Sequence, residues 1–266
     1  MNTIHSASGG RPLAVVTGAS SGIGYELAKL AAENGHDLVV AADTPLDDIR
    51  QRCEALGARV EAVQTDLAQR EGVEALLALI EGRPVDALFA NAGHGLGGAF
   101  LDQAFEDVVD VIDTNITGTI YLLQRVCRRM RDVGRGRVLV TGSIAGFEPG
   151  SYQAVYNGTK AFVDSFTLAL RDELKDSGVT ISCLMPGVTD TEFFARAGML
   201  DTKVGAGRKM DPADVARVGY DAMMDGEADV VAGWKNKLMV GLSNLVPGER
   251  LAAKHGEMAK PGSAHR

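Results

Sequence analysis

Short apolar runs alternate with longer helix-like stretches along most of the chain. Brief runs rich in Val, Leu and Ile are typical of strands that are covered on both faces, as in a parallel sheet. The runs predicted as strands are Leu13–Thr17, Asp37–Ala41, Arg59–Thr65, Val85–Ala90, Gly136–Thr141 and Val179–Met185. The stretches predicted as helices are Gly22–Asn34, Pro45–Leu56, Ala68–Glu81, Phe105–Met130 and Tyr152–Ser177. This order predicts an α/β fold with a doubly wound parallel sheet that is flanked by helices on both faces.

The pattern changes after Met185. Residues 190–210 contain two phenylalanines and several glycines, and they are predicted to form a cover over a site. Val230–Ala232 is predicted as one more strand. No linker divides the chain, so we expect one domain. The expected boundaries are a disordered tail at residues 1–11, a single domain at 12–256 and a disordered tail at 257–266.

The composition is that of an ordinary globular protein and excludes some classes of partner. Hydrophobic residues make up 45% of the 266 residues, and the formal net charge is −8. Nucleic acids and anionic membrane surfaces are bound by basic faces, so we expect neither partner. Cys53, Cys127 and Cys183 match no metal or disulfide framework, and we expect no metal site. No apolar run reaches the ~18 residues that a membrane span needs, so we expect a cytoplasmic protein.

A glycine-rich turn joins the first predicted strand to the first predicted helix. Its spacing, G-x-x-x-G-x-G, lets the backbone turn tightly and approach a pyrophosphate. The N-terminus of the following helix supplies free N–H groups and a partial positive charge for the same group. A turn of this composition also occurs without a ligand, so the glycines alone do not establish a dinucleotide site. The turn consists of Gly18, Ala19, Ser20, Ser21, Gly22, Ile23 and Gly24.

An acidic residue follows the second predicted strand. Asp43 comes about 20 residues after the last glycine of the turn, which is the offset at which a carboxylate accepts hydrogen bonds from the adenosine ribose. A carboxylate there repels a 2′-phosphate, and no Lys or Arg occurs between Asp43 and Arg50 to neutralise one. The sequence therefore predicts NAD as the preferred cofactor, with NADP as the second candidate. A solvated loop aspartate is the alternative interpretation.

Tyr156 and Lys160 stand at positions i and i+4 of a predicted helix, so they share one face. A tyrosine with its usual pKa of ~10 is a poor base at neutral pH. Lowering that pKa by ~3 units requires ~4 kcal/mol, which one ammonium at ~4 Å supplies at an effective dielectric of ~20. Ser143 follows the fifth predicted strand, where ligands bind in parallel sheets, and its hydroxyl can stabilise a developing oxyanion. Tyr25 and Lys29 have the same spacing, but no serine stands 13 positions before Tyr25 as Ser143 does before Tyr156, and they are predicted to be surface and packing residues.

With these motifs the chain resembles the classical short-chain dehydrogenase/reductase family, from about Leu13 to Thr191. The T-G-x-x-x-G-x-G turn is that family's own variant, and the serine, the tyrosine and the lysine stand in its catalytic order. The resemblance implies a Rossmann-like fold and oxidoreductase activity with a nicotinamide cofactor. It also implies that Asn115 completes a catalytic tetrad by holding a water that links the lysine to solvent. Asn115 lies inside a long predicted helix, where asparagine is a mediocre helix former, and a nearby glycine is compatible with a local break.

The resemblance further implies the contacts with the cofactor. Many NAD-using members carry the acidic residue one position earlier, where this chain has Ala42, and an acid at Asp43 still favours NAD. A pair after the third strand would contact the adenine, and the N-A-G turn after the fourth strand would pass near the cofactor ribose. The P-G-x-x-x-T segment after the sixth strand would surround the nicotinamide carboxamide. The residues concerned are Asp66, Leu67, Asn91, Ala92, Gly93, Pro186, Gly187, Thr189 and Thr191, together with Tyr156 and Lys160.

The sequence thus predicts an NAD-dependent alcohol dehydrogenase or carbonyl reductase in which Tyr156 is the general acid and base. A dinucleotide-binding regulator or scaffold that has lost its chemistry is the alternative, and the complete set of four catalytic residues argues against it. A sugar epimerase or dehydratase is disfavoured by the glycine spacing. The resemblance also implies a homotetramer or homodimer, built partly from the long helices around 105–130 and 152–177.

The substrate is expected to be an apolar or mixed small molecule. Apolar and aromatic residues in the loops near the site suggest this class. They are Leu96, Phe147, Tyr152, Phe193, Phe194, Met199 and Leu200. His94 and Glu148 flank the expected mouth of the pocket, where they either contact the substrate or serve as ordinary loop residues.

Overall fold

A computed structural model describes residues 10–243 and 246–265, and these ranges form a seven-stranded parallel sheet with helices around it. The strands are β1 (Leu13–Thr17), β2 (Asp37–Ala42), β3 (Val60–Gln64), β4 (Ala87–Ala90), β5 (Gly136–Thr141), β6 (Val179–Met185) and β7 (Asp229–Val231). The helices are α1 (Gly22–Glu33), α2 (Asp47–Ala55), α3 (Arg70–Leu79), α4 (Phe105–Ile112), α5 (Thr119–Val133), α6 (Ala154–Glu173), α7 (Phe193–Arg196), α8 (Lys203–Ala206), α9 (Pro212–Asp225), α10 (Trp234–Ser243) and α11 (Gly248–Ala259).

The strand order is β3-β2-β1-β4-β5-β6-β7, and all neighbouring strands are parallel. The order reverses at β1, where Val15 pairs with Val39 of β2 on one side and with Leu88 of β4 on the other. Ligands of such sheets bind at the carboxyl ends of the strands, beside the point of reversal. The doubly wound parallel sheet predicted from the apolar runs is therefore confirmed.

β1 shows how the sheet carries helices on both faces. Ala14 and Val16 belong to a core shared with α1 and α9, whereas Leu13 and Val15 belong to a second core shared with α3, α5 and α6. All residues of β1 are buried. This is why the run is apolar at consecutive positions and not at alternate ones.

The stretch 105–130, predicted as one helix, is interrupted in the structure. A π-helical turn at Asp113–Gly118 separates α4 from α5. Such turns occur frequently at functional sites. A Cβ on Gly118 would lie 2.0 Å from the carbonyl oxygen of Leu67, so this turn packs directly on the loop after β3 and tolerates only glycine there.

Residues 257–265 of the expected disordered C-terminal tail pack against the domain. α11 continues to Ala259, whose side chain is buried among apolar residues of the segment 190–210, called the lid below. A 3-10 turn follows at Ser263–His265, and the Ser263 hydroxyl accepts a hydrogen bond from the amide of Lys203 at 3.0 Å. The expectation was wrong for the described part of this tail, because its few apolar positions find their partners only in the distant lid.

Most of the expected N-terminal tail, residues 1–9, lies outside the described residues. Arg11 is held to the domain, because its guanidinium donates hydrogen bonds to the carbonyls of Gly35 at 2.9 Å and Ala32 at 3.2 Å. The expectation of disorder was therefore wrong for Arg11. Within the described ranges, no helix combines the length and the apolar character that a membrane crossing requires.

Candidate active site

A cavity of about 580 Å³ lies at the carboxyl edge of the sheet. The loops after β1, β2, β3, β4, β5 and β6 each contribute to its wall. Every residue predicted to contact the cofactor lines this cavity except Gly24, and every predicted catalytic residue does so except Asn115. The fold therefore brings the predicted residues together in one place.

The glycine turn has a backbone that other residues would disturb. Gly18 has a φ of +63°, in the left-handed region that favours glycine. A Cβ on Gly24 would lie 2.1 Å from the carbonyl oxygen of Gly18, so the first turn of α1 packs directly against the end of β1. The side chain of Ser21 makes no capping hydrogen bond to α1, and the amides of the first helical turn remain available to an anion. The turn residues that line the cavity are Gly18, Ser20, Ser21, Gly22 and Ile23.

Asp43 lies in the cavity wall after β2 and forms an ion pair with Arg196 of α7. Both side chains are 44% exposed, so the pair lies at the rim of the cavity. Sequence reasoning missed Arg196 because 153 positions separate it from Asp43. No basic residue closely follows Asp43 in the sequence. Its carboxylate is nevertheless paired, because the lid supplies Arg196 from another part of the chain.

Asn91 joins the ends of three neighbouring strands. Its Nδ2 donates to the carbonyl oxygen of Thr17 at 3.2 Å, and its Oδ1 accepts from the hydroxyl of Thr141 at 3.0 Å. The hydroxyl of Thr17 accepts the amides of Asn91 and Ala92, both at 3.0 Å. The N-A-G turn thus holds β1, β4 and β5 together at the floor of the cavity.

The loop after β6 contacts the glycine turn across the cavity. A Cβ on Gly22 would lie 2.7 Å from Cγ2 of Thr191, so these two predicted cofactor residues are in direct contact. The Thr189 hydroxyl donates to the carbonyl of Gly187 at 2.9 Å, which stabilises the turn that begins at Pro186. All of these residues line the cavity.

The loop after β3 forms the wall next to the loop that carries Asp43. Asp66 and Leu67 line the cavity there. The Asp66 carboxylate accepts the amide of Ala68 at 2.8 Å, which fixes the turn into α3. Both residues thus lie in the cavity wall, and their contact with an adenine stays a prediction.

Tyr156 and Ser143 form the polar centre of the cavity. The side chain of Tyr156 is hydrogen-bonded with that of Ser143, whose Oγ also accepts the amide of Ala145 at 3.1 Å. Burial raises the pKa of Tyr156 to about 12, and the hydrogen bond with Ser143 opposes this rise. The phenol is therefore neutral at pH 7 in the protein by itself.

Lys160 lies one turn after Tyr156 on α6 and is buried. Its Nζ donates to the carbonyl oxygen of Thr141 at 2.8 Å and lies 6.0 Å from the centre of the Tyr156 ring. Burial lowers the pKa of Lys160, while the carboxylate of Asp164 opposes this effect. The lowered tyrosine pKa expected from an ammonium at ~4 Å is not found, because the ammonium is directed at Thr141 and burial of the phenol dominates.

Asn115 lies in the π-helical turn, behind the cavity wall. Its Nδ2 donates to the His94 carbonyl at 2.9 Å and to the Thr159 hydroxyl at 3.0 Å, and its Oδ1 accepts the His94 amide at 3.0 Å. A Cβ on Gly93 would lie 2.8 Å from Oδ1 of Asn115 and 3.5 Å from Nζ of Lys160. Asn115 therefore connects the loop after β4 with α6, close to the lysine.

The lid closes the cavity beside the tyrosine. The ring centres of Phe193 and Tyr156 are 4.9 Å apart, and a Cβ on Gly95 would lie 2.4 Å from Cζ of Phe193. Of the apolar residues expected near the substrate, Phe193 and Phe194 line the cavity. Met199 instead packs inside the lid, and Leu200 is exposed.

α11 supplies two wall residues that sequence reasoning missed. His255 and Met258 line the cavity, and Nδ1 of His255 lies 2.9 Å from the carbonyl oxygen of Ser151. No local motif marks them, because their role depends on α11 packing against the lid. His94 and Glu148 also line the cavity, as expected for residues at its mouth.

Comparisons with known proteins identify the family. The family model described as short chain dehydrogenase matches residues 12–199. An uncharacterised oxidoreductase of Staphylococcus aureus (strain N315) is 33% identical over 77% of this chain and 87% of its own length. The chain therefore belongs to the classical short-chain dehydrogenase/reductase family, which confirms the resemblance seen in the sequence. It is an oxidoreductase of that family.

Two solved structures show the same fold with a nicotinamide cofactor. A short-chain dehydrogenase from Sphingobium yanoikuyae, in complex with NADPH, is 30% identical, with a TM-score of 0.78 over 89% of this chain and 96% of that one. A short-chain dehydrogenase/reductase from Burkholderia phymatum, in complex with NAD, is 25% identical, with a TM-score of 0.78 over 88% of this chain and 92% of that one. Structural neighbours thus bind either form of the cofactor.

Proposed function

We propose that the protein is an NAD(P)-dependent alcohol dehydrogenase or carbonyl reductase. It would transfer a hydride between the cofactor and the carbinol or carbonyl carbon of an alcohol or a ketone. The observation that carries the proposal is the hydroxyl of Tyr156, which is hydrogen-bonded with Ser143 in the cavity that the glycine turn also lines. A hydride and a proton could thus be exchanged with the two atoms of one carbonyl group.

The residues present fit a dinucleotide at five places along the cavity. We assign the pyrophosphate to the glycine turn, because the amides at the start of α1 lack a side-chain cap. When bound, the nicotinamide supplies or accepts the hydride. The other residues proposed to hold the cofactor are Asp43 at the ribose, Asp66 and Leu67 at the adenine, Asn91, Ala92 and Gly93 at the floor, and Pro186, Gly187, Thr189 and Thr191 at the carboxamide.

NAD is proposed as the preferred form of the cofactor. The carboxylate of Asp43 would face the ribose, and its negative charge disfavours a second phosphate there. Arg196 balances part of that charge. We therefore expect NADP to bind more weakly than NAD and not to be excluded.

In the direction of reduction, the neutral phenol of Tyr156 would donate its proton to the oxygen as the hydride reaches the carbon. The Ser143 hydroxyl would donate a hydrogen bond to the same oxygen and stabilise its developing charge. The ammonium of Lys160 would then stabilise the phenolate that remains. Asn115 would hold the loop after β4 against α6, so that the buried lysine keeps its place.

A substrate screen tests the proposed function. We expect turnover, followed by nicotinamide absorbance, with secondary alcohols or ketones that carry apolar groups, because Phe193, Phe194 and Met258 line the cavity. NAD is expected to give the higher kcat/KM of the two cofactors. Reactions without the cofactor serve as the control. Cofactor binding without turnover on the whole panel would contradict the proposal and favour a catalytically silent regulator.

We further propose that the chain forms a homotetramer or homodimer through α4, α5 and α6. Phe105, Val109 and Ile112 leave an apolar stripe exposed along α4, and Phe162 is exposed on α6. A cavity of about 720 Å³ lies between α5 and α6 on the same side of the sheet. Large exposed apolar surfaces of this kind mark protein interfaces.

The oligomer is expected to dissociate when a charge is placed on this stripe. Val109→Glu should shift the molecular mass in solution, measured by light scattering after gel filtration, towards that of a smaller assembly. Leu200→Glu is the matched control, because Leu200 is an exposed apolar residue of the lid. A wild-type protein that elutes as a monomer would refute the proposed assembly.

A further inference from the structure

A buried carboxylate lies beside the candidate serine and lysine, and the proposed reaction does not use it. Asp164 follows Lys160 by one turn of α6 and is only 7% exposed. Its Oδ1 accepts hydrogen bonds from the amide of Ser143 at 3.2 Å and from Sγ of Cys183 at 3.6 Å. Its Oδ2 is buried and has no hydrogen-bond partner among the described residues. A buried carboxylate with an unpaired oxygen is costly, so its presence requires an explanation.

The loop after β5 leaves room for this carboxylate. A Cβ on Gly142 would lie 1.8 Å from Oδ1 of Asp164, and a Cβ on Gly146 would lie 2.3 Å from Oδ2. Neither glycine has a positive φ, so it is the space beside Asp164 and not the backbone conformation that requires glycine. The loop that carries Ser143 is therefore shaped around the carboxylate.

The groups around Asp164 couple its charge to the candidate catalytic residues. Burial raises the pKa of Asp164 to about 6, while Lys160 on the same helix opposes this rise and Asp229 on β7 adds to it. The carboxyl is therefore largely ionised above that pH. Its negative charge in turn raises the pKa of Lys160, of Tyr156 and of the Cys183 thiol on β6.

We propose that Asp164 is a positioning residue of the reaction, whose carboxylate holds the Ser143 loop against α6 and keeps the buried Lys160 ammonium charged. The inference rests on the proposed function of the cavity. The hydrogen bond to the Ser143 amide fixes the main chain from which the hydroxyl reaches Tyr156. The charge compensates for the loss of water around Lys160, whose Nζ has a neutral carbonyl as its hydrogen-bond acceptor.

The variant Asp164→Asn removes the charge and keeps the shape and the acceptor oxygen. Because the carboxylate raises the pKa of both Tyr156 and Lys160, both limbs of the pH profile of kcat for alcohol oxidation should move to lower pH, by about one unit. The KM for the cofactor should stay within about twofold of its wild-type value, since Asp164 lies outside the cavity wall. A residue that acts only through packing would lower kcat without moving either limb.

Asp86→Asn is the matched control. Asp86 is also buried and accepts an amide, that of Leu13 at 3.0 Å, but it lies at the amino end of β1, away from the cavity. In Asp86→Asn, neither limb of the pH profile of kcat should move. Asp164→Asn should still unfold in one cooperative transition at pH 8, because Asn keeps the shape and the acceptor oxygen for the Ser143 amide. If Asp164→Asn does not fold, the pH profile of kcat is measured with Asp164→Ser, whose side chain is smaller and also uncharged.

The possible failures are distinguishable. Turnover with unmoved limbs in the Asp164 variants would overturn this inference and leave the proposed function intact. A wild-type enzyme that turns over nothing on the substrate panel would overturn the proposed function, and the inference with it. Limbs that move equally in the Asp86 variant would also overturn the inference, because the effect would not be local to the site.

Discussion

Tyr156→Phe is expected to lower kcat by about 10³-fold, because a positioned acid or base contributes about 10²- to 10⁴-fold. The change removes one hydroxyl and keeps the ring, which packs against Phe193 at 4.9 Å. The Kd for NAD should therefore stay within about twofold of the wild-type value. Steady-state kinetics and fluorescence titration of the cofactor measure the two quantities separately.

Tyr25→Phe is the matched control for this prediction. Tyr25 stands four positions before Lys29 on α1, but its hydroxyl is hydrogen-bonded with Asp48 and Lys29 pairs with Glu26 at 2.6 Å. Both groups are thus engaged outside the cavity, and kcat should not change. Retention of more than a few per cent of wild-type activity by Tyr156→Phe would contradict the role assigned to Tyr156.

Asp43→Ala is expected to change the preference for the cofactor. The ratio of kcat/KM with NADP to that with NAD should rise by about 10- to 100-fold, because a like charge at the ribose is removed. The same change frees the guanidinium of Arg196, which can then pair with the 2′-phosphate. Folding should be little affected, since exposed ion pairs contribute about 0–1 kcal/mol to stability.

The double variant Asp43→Ala/Arg196→Ala separates the two contributions. In this variant the ratio of kcat/KM with NADP to that with NAD should return most of the way to its wild-type value, because the guanidinium that could pair with the 2′-phosphate is removed. Asp190→Ala is the control, since it breaks another ion pair, which Asp190 forms within the lid with Lys209 at 3.4 Å. An unchanged cofactor ratio in Asp43→Ala would place the ribose elsewhere.

The fold was predictable because burial on both faces leaves a continuous apolar signal. β1, β5 and β6 have the predicted bounds, and Leu13–Thr17 is buried throughout. The end of the chain was not predictable in the same way. Its apolar positions are few, and Ala259 is buried only because the lid lies next to it. Local patterns report packing that repeats along an element, whereas a single distant contact leaves no such pattern.

The candidate site also contains some residues that local sequence patterns indicate and others that they do not. Tyr156 and Lys160 share a helix face, and strand ends place Ser143 beside them, so motif spacing was sufficient to predict that these three residues lie together. Arg196 and Asp164 carry no local signal. Arg196 reaches from the lid to Asp43, and Asp164 reaches from α6 to Ser143 after β5 and to Cys183 on β6. These contacts depend on how elements that are far apart in sequence pack together.

By itself the sequence determined the sheet, the family, the glycine turn and the side chains that the fold brings together at one edge, because each depends on spacing within one element or on the order of elements. Only the tertiary structure decided their electrostatics. Lys160 points to Thr141, burial raises the pKa of Tyr156 to about 12, and Asp164 sets a second charge beside both. Desolvation and the direction of a hydrogen bond depend on everything that surrounds a group, and no spacing along the chain encodes that.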